Sequence, residues 1–146
     1  VRELRLETRL PGDADAAWDV FLDVARWPEW GRLVTAAHGE FEAGYRWRME
    51  LVGDEARRVL RPRFVALGPG RRIVFESRFG TRWGARLVHT FTIDDAATLL
   101  QTFTVTGALV PLLWRWLEPG MRQFAMLGDD LARRLATPGR ARGTRA

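Results

Sequence analysis

Between residues 32 and 107 the chain is a succession of short runs in which apolar and polar residues alternate, each closed by turn residues; beyond residue 112 the apolar spacing becomes helical. That pattern limits the fold more than any other feature. The runs are 33–42, 45–52, 55–66, 72–79, 83–93 and 98–107, and the breakers are Gly44, Gly53-Asp54, Gly68-Pro69-Gly70, Gly80-Thr81 and Asp94-Asp95. Turns this short join antiparallel neighbours. Residues 3–10 add another half-buried strand, with Leu4, Leu6 and Leu10 opposed to Arg5, Glu7 and Arg9. A sheet with one apolar face needs a cover. The only element large enough is the helix over 112–135, on which Leu113, Trp116, Leu117, Phe124, Leu131 and Leu135 share a face. The expected fold is α+β: a seven-stranded curved antiparallel sheet wrapped around a long C-terminal helix. After the first strand, Asp13 or Asp15 can cap a short helix running to Asp23, and Arg26–Gly31 reads as a second helical turn or a tight corner. Pro119-Gly120 is expected to kink or divide the long helix.

Composition narrows the chemistry. The chain has 146 residues, 47% of them hydrophobic, enough for one domain with its own core. It is read as a single domain over 1–137 with a basic, flexible tail over 138–146. Cysteine is absent, which excludes disulfides, thiolate metal sites and cysteine nucleophiles. All 23 basic residues are arginine, so no Schiff base can form. Uniform arginine with abundant alanine and glycine is the mark of a GC-rich bacterial gene. The net charge of +5 is spread among acids, as in Arg5-Leu6-Glu7-Thr8-Arg9, and not gathered into a patch. Nucleic acid is therefore not an expected partner. No apolar run reaches membrane-spanning length and no signal-peptide pattern opens the chain, so a cytoplasmic location is expected and a homodimer stays open. His38 and His89 are the only histidines and Ser77 the only serine. No metal site or cofactor is expected, because no second histidine lies near His89 and Asp94-Asp95 sits in a turn. Glu76 and Arg78 flank Ser77 where a nucleophile elbow would need glycines. Ser77 and His89 are also expected four strand positions apart, about 13 Å.

The order of elements, with a tryptophan-rich corner after the first helix, resembles the START-like or SRPBCC superfamily of the Bet v 1-like helix-grip fold. The chain is most similar to its polyketide cyclase/dehydrase group. The matching residues are Ala17-Trp18-Asp19-Val20-Phe21 through Asp23, Trp27-Pro28-Glu29-Trp30, the stretch from Gly39 to Trp47, the hairpin from Gly68 to Phe75, and Gly107. The resemblance covers about residues 3–136. It implies a deep apolar cavity between sheet and helix and an aromatic or polyketide-like ligand. It further implies a polyketide cyclase/dehydratase-type enzyme; a non-catalytic carrier or sensor of a lipid, quinone or other apolar metabolite is the alternative. No catalytic motif of the family is present to carry over, so turnover stays open.

Strand parity assigns the cavity face. A Gly80-Thr81-Arg82 loop pairs Phe79 with Trp83, Ser77 with Ala85 and Ile73 with His89. Pairing Ile93 with Leu99 puts Phe103 opposite His89 and Gln101 opposite Phe91. A Gly53-Asp54 turn pairs Leu51 with Ala56, Met49 with Arg58, Trp47 with Leu60 and Tyr45 with Pro62, and Phe64 faces Phe75. The expected ligand-binding set is Tyr45, Trp47, Met49, Leu60, Phe64, Phe75, Ser77, Phe79, Trp83, Leu87, Phe91 and Phe103, with Trp116 and Phe124 from the helix. So much aromatic surface suggests a pocket of about 300–1,000 Å³, although a filled aromatic core would use the same residues. The candidate catalytic groups are His89, Gln101 and Arg58. His89 in mid-strand is either a buried imidazole satisfied by Gln101 or a group that orients a ligand or moves a proton. Arg58 lies at the end that the resemblance implies is the cavity mouth. There it either snorkels to solvent past Met49 or meets an acidic or enolic ligand.

Overall fold

The computed structural model describes residues 1–52, 57–80 and 84–137. The alternating runs form eight strands: β1 (Arg2–Arg9), β2 (Val34–His38), β3 (Arg48–Val52), β4 (Arg57–Leu60), β5 (Arg63–Leu67), β6 (Arg72–Phe79), β7 (Ala85–Ile93) and β8 (Thr98–Thr106). The run expected over 55–66 is thus two strands, β4 and β5, divided at Arg61-Pro62. Proline has no N–H to give the ladder and cannot sit inside a strand paired on both sides. The division separates two sheets, β1-β8-β7-β6-β5 and β2-β3-β4, all of whose pairings are antiparallel. A bridge between Arg46 and Arg63 ties them together, with the Phe64 N–H donating to the Tyr45 carbonyl and the Trp47 N–H to that of Pro62, both at 2.8 Å.

Two registers differ from expectation by two residues. Leu51 pairs with Arg58 and Met49 with Leu60. Phe79 pairs with Ala85, Ser77 with Leu87, Phe75 with His89 and Ile73 with Phe91. Both connections are longer than the tight turns assumed for them; Gly53-Asp54, Ala56, Thr81, Arg82 and Trp83 lie outside the described residues. A slip of two residues keeps every side chain on its face, so the inner face expected for these strands stands. Ser77 is now two strand positions, not four, from the residue opposite His89. The β7–β8 register is as expected, with His89 opposite Phe103 and Gln101 opposite Phe91, and so is the Phe64–Phe75 pair.

Helix α1 (Ala14–Leu22) begins where the Asp13 carboxylate accepts the Ala16 N–H at 3.3 Å. A 3-10 turn, Val24–Glu29, forms the corner and buries Trp27, whose indole N–H donates to the Phe21 carbonyl at 2.8 Å. The C-terminal cover is two helices, α2 (Val110–Arg122) and α3 (Ala125–Leu135). Pro119 lies within α2, and the division falls at Gln123-Phe124 instead of Pro119-Gly120. Gly128 lets α3 approach β1 so closely that a Cβ there would collide with Thr8.

Asp130 fixes α3 to the corner. Its buried carboxylate accepts the Arg32 backbone N–H at 2.9 Å, the Arg32 Nη2 at 3.0 Å and the Arg133 Nη1 at 2.9 Å. Burial pushes this carboxyl up, but the hydrogen bonds and charge of Arg32 and then Arg133 outweigh it and hold it below its ordinary value. Asp130→Ala should cost about 2–3 kcal/mol, since hydrogen bonds to an ionised acceptor are lost. Asp130→Asn should lose less, because its amide oxygen still accepts the Arg32 N–H. Urea unfolding of the two variants checks the order.

Candidate functional site

The inner face divides into two aromatic regions. At one end Phe41, from the loop before β3, fills the space against Trp47 and Phe64, with ring centroids 5.3 and 5.4 Å away. The Trp47 indole N–H donates to the Glu40 carbonyl at 2.9 Å, and its ring lies so close over Gly39 that no Cβ would fit there. Trp47 and Phe64 are therefore packed core, and Tyr45 is exposed; none of the three lines the cavity. Trp83 lies outside the described residues. Phe75 is the wall between the regions, touching Trp47 and Phe64 on one side and Phe91 on the other.

Beyond Phe75 lies a cavity of about 120 Å³. It is smaller than the 300–1,000 Å³ expected, and Trp27, from the corner after α1, forms part of its wall. Of the expected set, Met49, Leu60, Phe75, Ser77, Phe79, Leu87, Phe91, Phe103, Trp116 and Phe124 line it, together with His89 and Arg58. Gln101 sits behind His89 and is fully buried. The expectation missed Trp27, Leu51, Pro62 and four residues of the cover, Leu117, Gly120, Met121 and Gln123. Most of the cover was within reach of the helical period, which places Leu117, Gly120, Met121 and Phe124 on adjoining positions. Arg58 and Trp116 mark the open rim, since both line the cavity yet are exposed, Trp116 to 70%. Arg58 Nη1 comes within 3.2 Å of where a Gly120 Cβ would lie, so it spans from β4 to α2 across the mouth. Trp114 turns the other way and takes the Arg2 guanidinium over its ring at 5.4 Å.

His89 is the polar centre. Its ring is stacked on Phe103 at 3.9 Å, lies 4.0 Å from Phe91 and meets Phe124 edge-on at 4.8 Å. Burial among these rings disfavours the imidazolium and lowers its pKa to about 3; the Gln101 hydrogen bond pulls weakly the other way. His89 is neutral at pH 7, and its tautomer follows from its neighbours. The Gln101 Nε2 lies 2.8 Å from the Phe124 carbonyl, which can only accept, so the amide must turn its NH₂ to the helix. Its Oε1 then faces His89 Nε2 at 3.1 Å, and that nitrogen must carry the proton. Nδ1 is left with a bare lone pair. It has no hydrogen-bond partner among the described residues and is not among their buried unsatisfied atoms, so it opens to the cavity. The chain Phe124 carbonyl, Gln101, His89, cavity has one polarity throughout.

No family model and no curated protein matches the chain. Solved structures do. The di-domain ARO/CYC BexL from the BE-7585A biosynthetic pathway superposes with a TM-score of 0.71 at 18% identity, over 94% of this chain and 48% of that one. Norcoclaurine synthase from Thalictrum flavum gives 0.71 at 14% identity, over 93% and 87%. The protein TTHA0849 from Thermus thermophilus gives 0.67 at 16%, over 94% and 99%. The fold is Bet v 1-like. Identities this low establish the fold alone, and the chain spans about half the length of the two di-domain ARO/CYC proteins it matches. Among the described residues, this Bet v 1-like chain has no cluster of three or more potential metal-ligating His, Cys, Asp or Glu, and no helix long and apolar enough to cross a membrane.

Proposed function

We propose that the chain binds a small aromatic or polyketide-like molecule carrying a hydrogen-bond donor. A ring enters the cavity, the donor meets His89 Nδ1, and any acidic or enolic group lies at the mouth beside Arg58. The observation that carries this reading is an imidazole set among three phenylalanine rings at the cavity wall, with its Nε2 bound to Gln101 and no partner among the described residues for its Nδ1. An apolar cavity of about 150 Å³ holds a benzene ring, so a space of about 120 Å³ suits one ring of a ligand whose remainder passes Trp116. A plain lipid carrier has no use for a fixed polar group at this depth. Cyclase or dehydratase chemistry, suggested by the ARO/CYC neighbours, would draw on holding a flexible chain in a reactive shape. His89, with a conjugate acid near 3, accepts a hydrogen bond but is a poor proton shuttle at neutral pH.

Phenol and toluene have nearly the same shape and differ in the donor. Calorimetric titration should show the wild type favouring phenol, relative to toluene, by about tenfold more than His89→Phe does, the worth of one hydrogen bond. A toluene-to-phenol ratio that is the same in both proteins would remove Nδ1 from the site. Failure of both compounds to bind saturably would remove the cavity.

A further inference from the structure

On the outer face of the sheet is a second void, of about 300 Å³, where the two sheets diverge. β5 starts at Arg63 opposite Glu76, so Ser77–Phe79 of β6 extend past it beside the end of β4. Arg46, Arg61, Arg63 and Arg78 line this cleft. Glu76 forms its floor and is nearly buried. The Glu76 Oε1 accepts from Arg63 Nη2 at 3.1 Å and Arg78 Nε at 3.3 Å; its Oε2 accepts from Arg86 Nε at 2.8 Å and lies 2.6 Å from Arg86 Nη2 in the same ion pair. Those three bonds engage both oxygens of the carboxylate. Arg78 and Arg86 are direct cross-strand partners, a like-charge pair that repels and that Glu76 alone bridges. Arg46 and Arg61, on the rim, are exposed and make no ion pair among the described residues; Arg46 reaches only the Arg61 carbonyl, at 3.4 Å.

Three guanidiniums thus share one carboxylate, and those of Arg46 and Arg61 stand on the same cleft with no acid of their own among the described residues. Elsewhere several arginines are paired with an acid close by, as in Arg26 with Glu29 and Arg48 with Glu50. Each guanidinium has five donors in a planar fork matched to oxyanions, and those at the cleft have donors to spare. We propose that the cleft is a binding site for a doubly charged oxyanion of the phosphate class. A monocarboxylate would leave most of the excess charge unanswered, and Phe79 is the single aromatic side chain among the described residues of the cleft, too few to stack a run of bases. Leu60, Ser77 and Phe79 line both this cleft and the aromatic cavity, so one layer of side chains separates them. The anion is either free or the charged end of a molecule whose ring lies inside.

Calorimetric titration with inorganic pyrophosphate tests the site. The wild type should bind saturably at one site, and Arg46→Ala/Arg61→Ala, which leaves the Glu76 bonds intact, should bind about tenfold or more weakly. Arg5→Ala/Arg9→Ala on β1 removes the same charge and should bind as the wild type does. Phenyl phosphate separates the two sources: competition with phenol assigns the anion to the cavity's own ligand, and independent binding assigns it to a free oxyanion. Absence of saturable pyrophosphate binding by the wild type, or equal loss in both double variants, overturns the proposal. Either result leaves the phenol measurement on the inner cavity standing.

Discussion

Between about pH 6.5 and pH 3 the protein is expected to lose up to roughly 5 kcal/mol of stability through His89 alone. The imidazole titrates near 6.5 in the unfolded chain and at about 3 when buried among Phe91, Phe103 and Phe124. In that window the unfolded state holds a proton that the folded state does not. The contribution is whole above 6.5, and it falls as pH drops until the folded ring also protonates. The slope is one proton's worth, about 1.4 kcal/mol per pH unit. Asp130 and Glu76 act in the same direction but later. Burial raises each carboxyl and its arginine partners lower it further, so both are held below their ordinary values. Their stabilisation is present above those ordinary values and is lost as pH falls through the folded ones. Urea unfolding at pH 5 to 6.5 therefore isolates the histidine. His89→Phe should flatten the stability curve there by one proton; equal slopes in the two proteins would mean that the ring is protonated in the folded state.

Gln101→Leu is expected to cost about 1.5–4.5 kcal/mol: it strands the buried Nε2–H of His89, at about 1–3 kcal/mol, and removes one hydrogen bond, worth about 0.5–1.5 kcal/mol, from the Phe124 carbonyl, which keeps the Leu127 N–H at 3.1 Å. Adding His89→Phe to Gln101→Leu removes the stranded donor, so the double variant should recover part of the loss, and the two substitutions should be strongly non-additive. Thermal or urea unfolding of the four proteins gives the coupling. Additive costs would show that the amide and the imidazole do not depend on each other.

The contact between Gln101 and His89 was legible because parity and the short β7–β8 connection place the two residues diagonally on one face. The other half of the network was not. The Phe124 carbonyl is available because the C-terminal cover divides at Gln123-Phe124, where the sequence has neither proline nor glycine; the visible breaker, Pro119-Gly120, is accommodated inside α2. Alternation fixes faces and leaves register free by steps of two. Hence Met49, Leu51, Ser77 and Phe79 were assigned to the right face and given the wrong partners. Phe41 falls in the run read as a strand over 33–42, but β2 ends at His38, so Phe41 reaches Trp47 and Phe64 from a loop whose path alternation does not give. The arginine cleft depends on Pro62 dividing one expected strand into two sheets, and the face of an arginine says little about which other arginines will converge on it.

The one-way polarity from the Phe124 carbonyl to His89 bears on what the cavity can tell apart. A guest that offers a hydroxyl or an N–H finds the lone pair it needs. An aldehyde or ketone of the same outline needs a proton on Nδ1. Supplying it would take the proton from Nε2, leave the Gln101 oxygen without a donor, and break the link to the helix joint. If the cavity takes a guest as proposed, the Phe124 carbonyl would thereby favour alcohols over carbonyl compounds. An enzyme or carrier built this way would hold a phenolic or enolic form of its compound and let the keto form go.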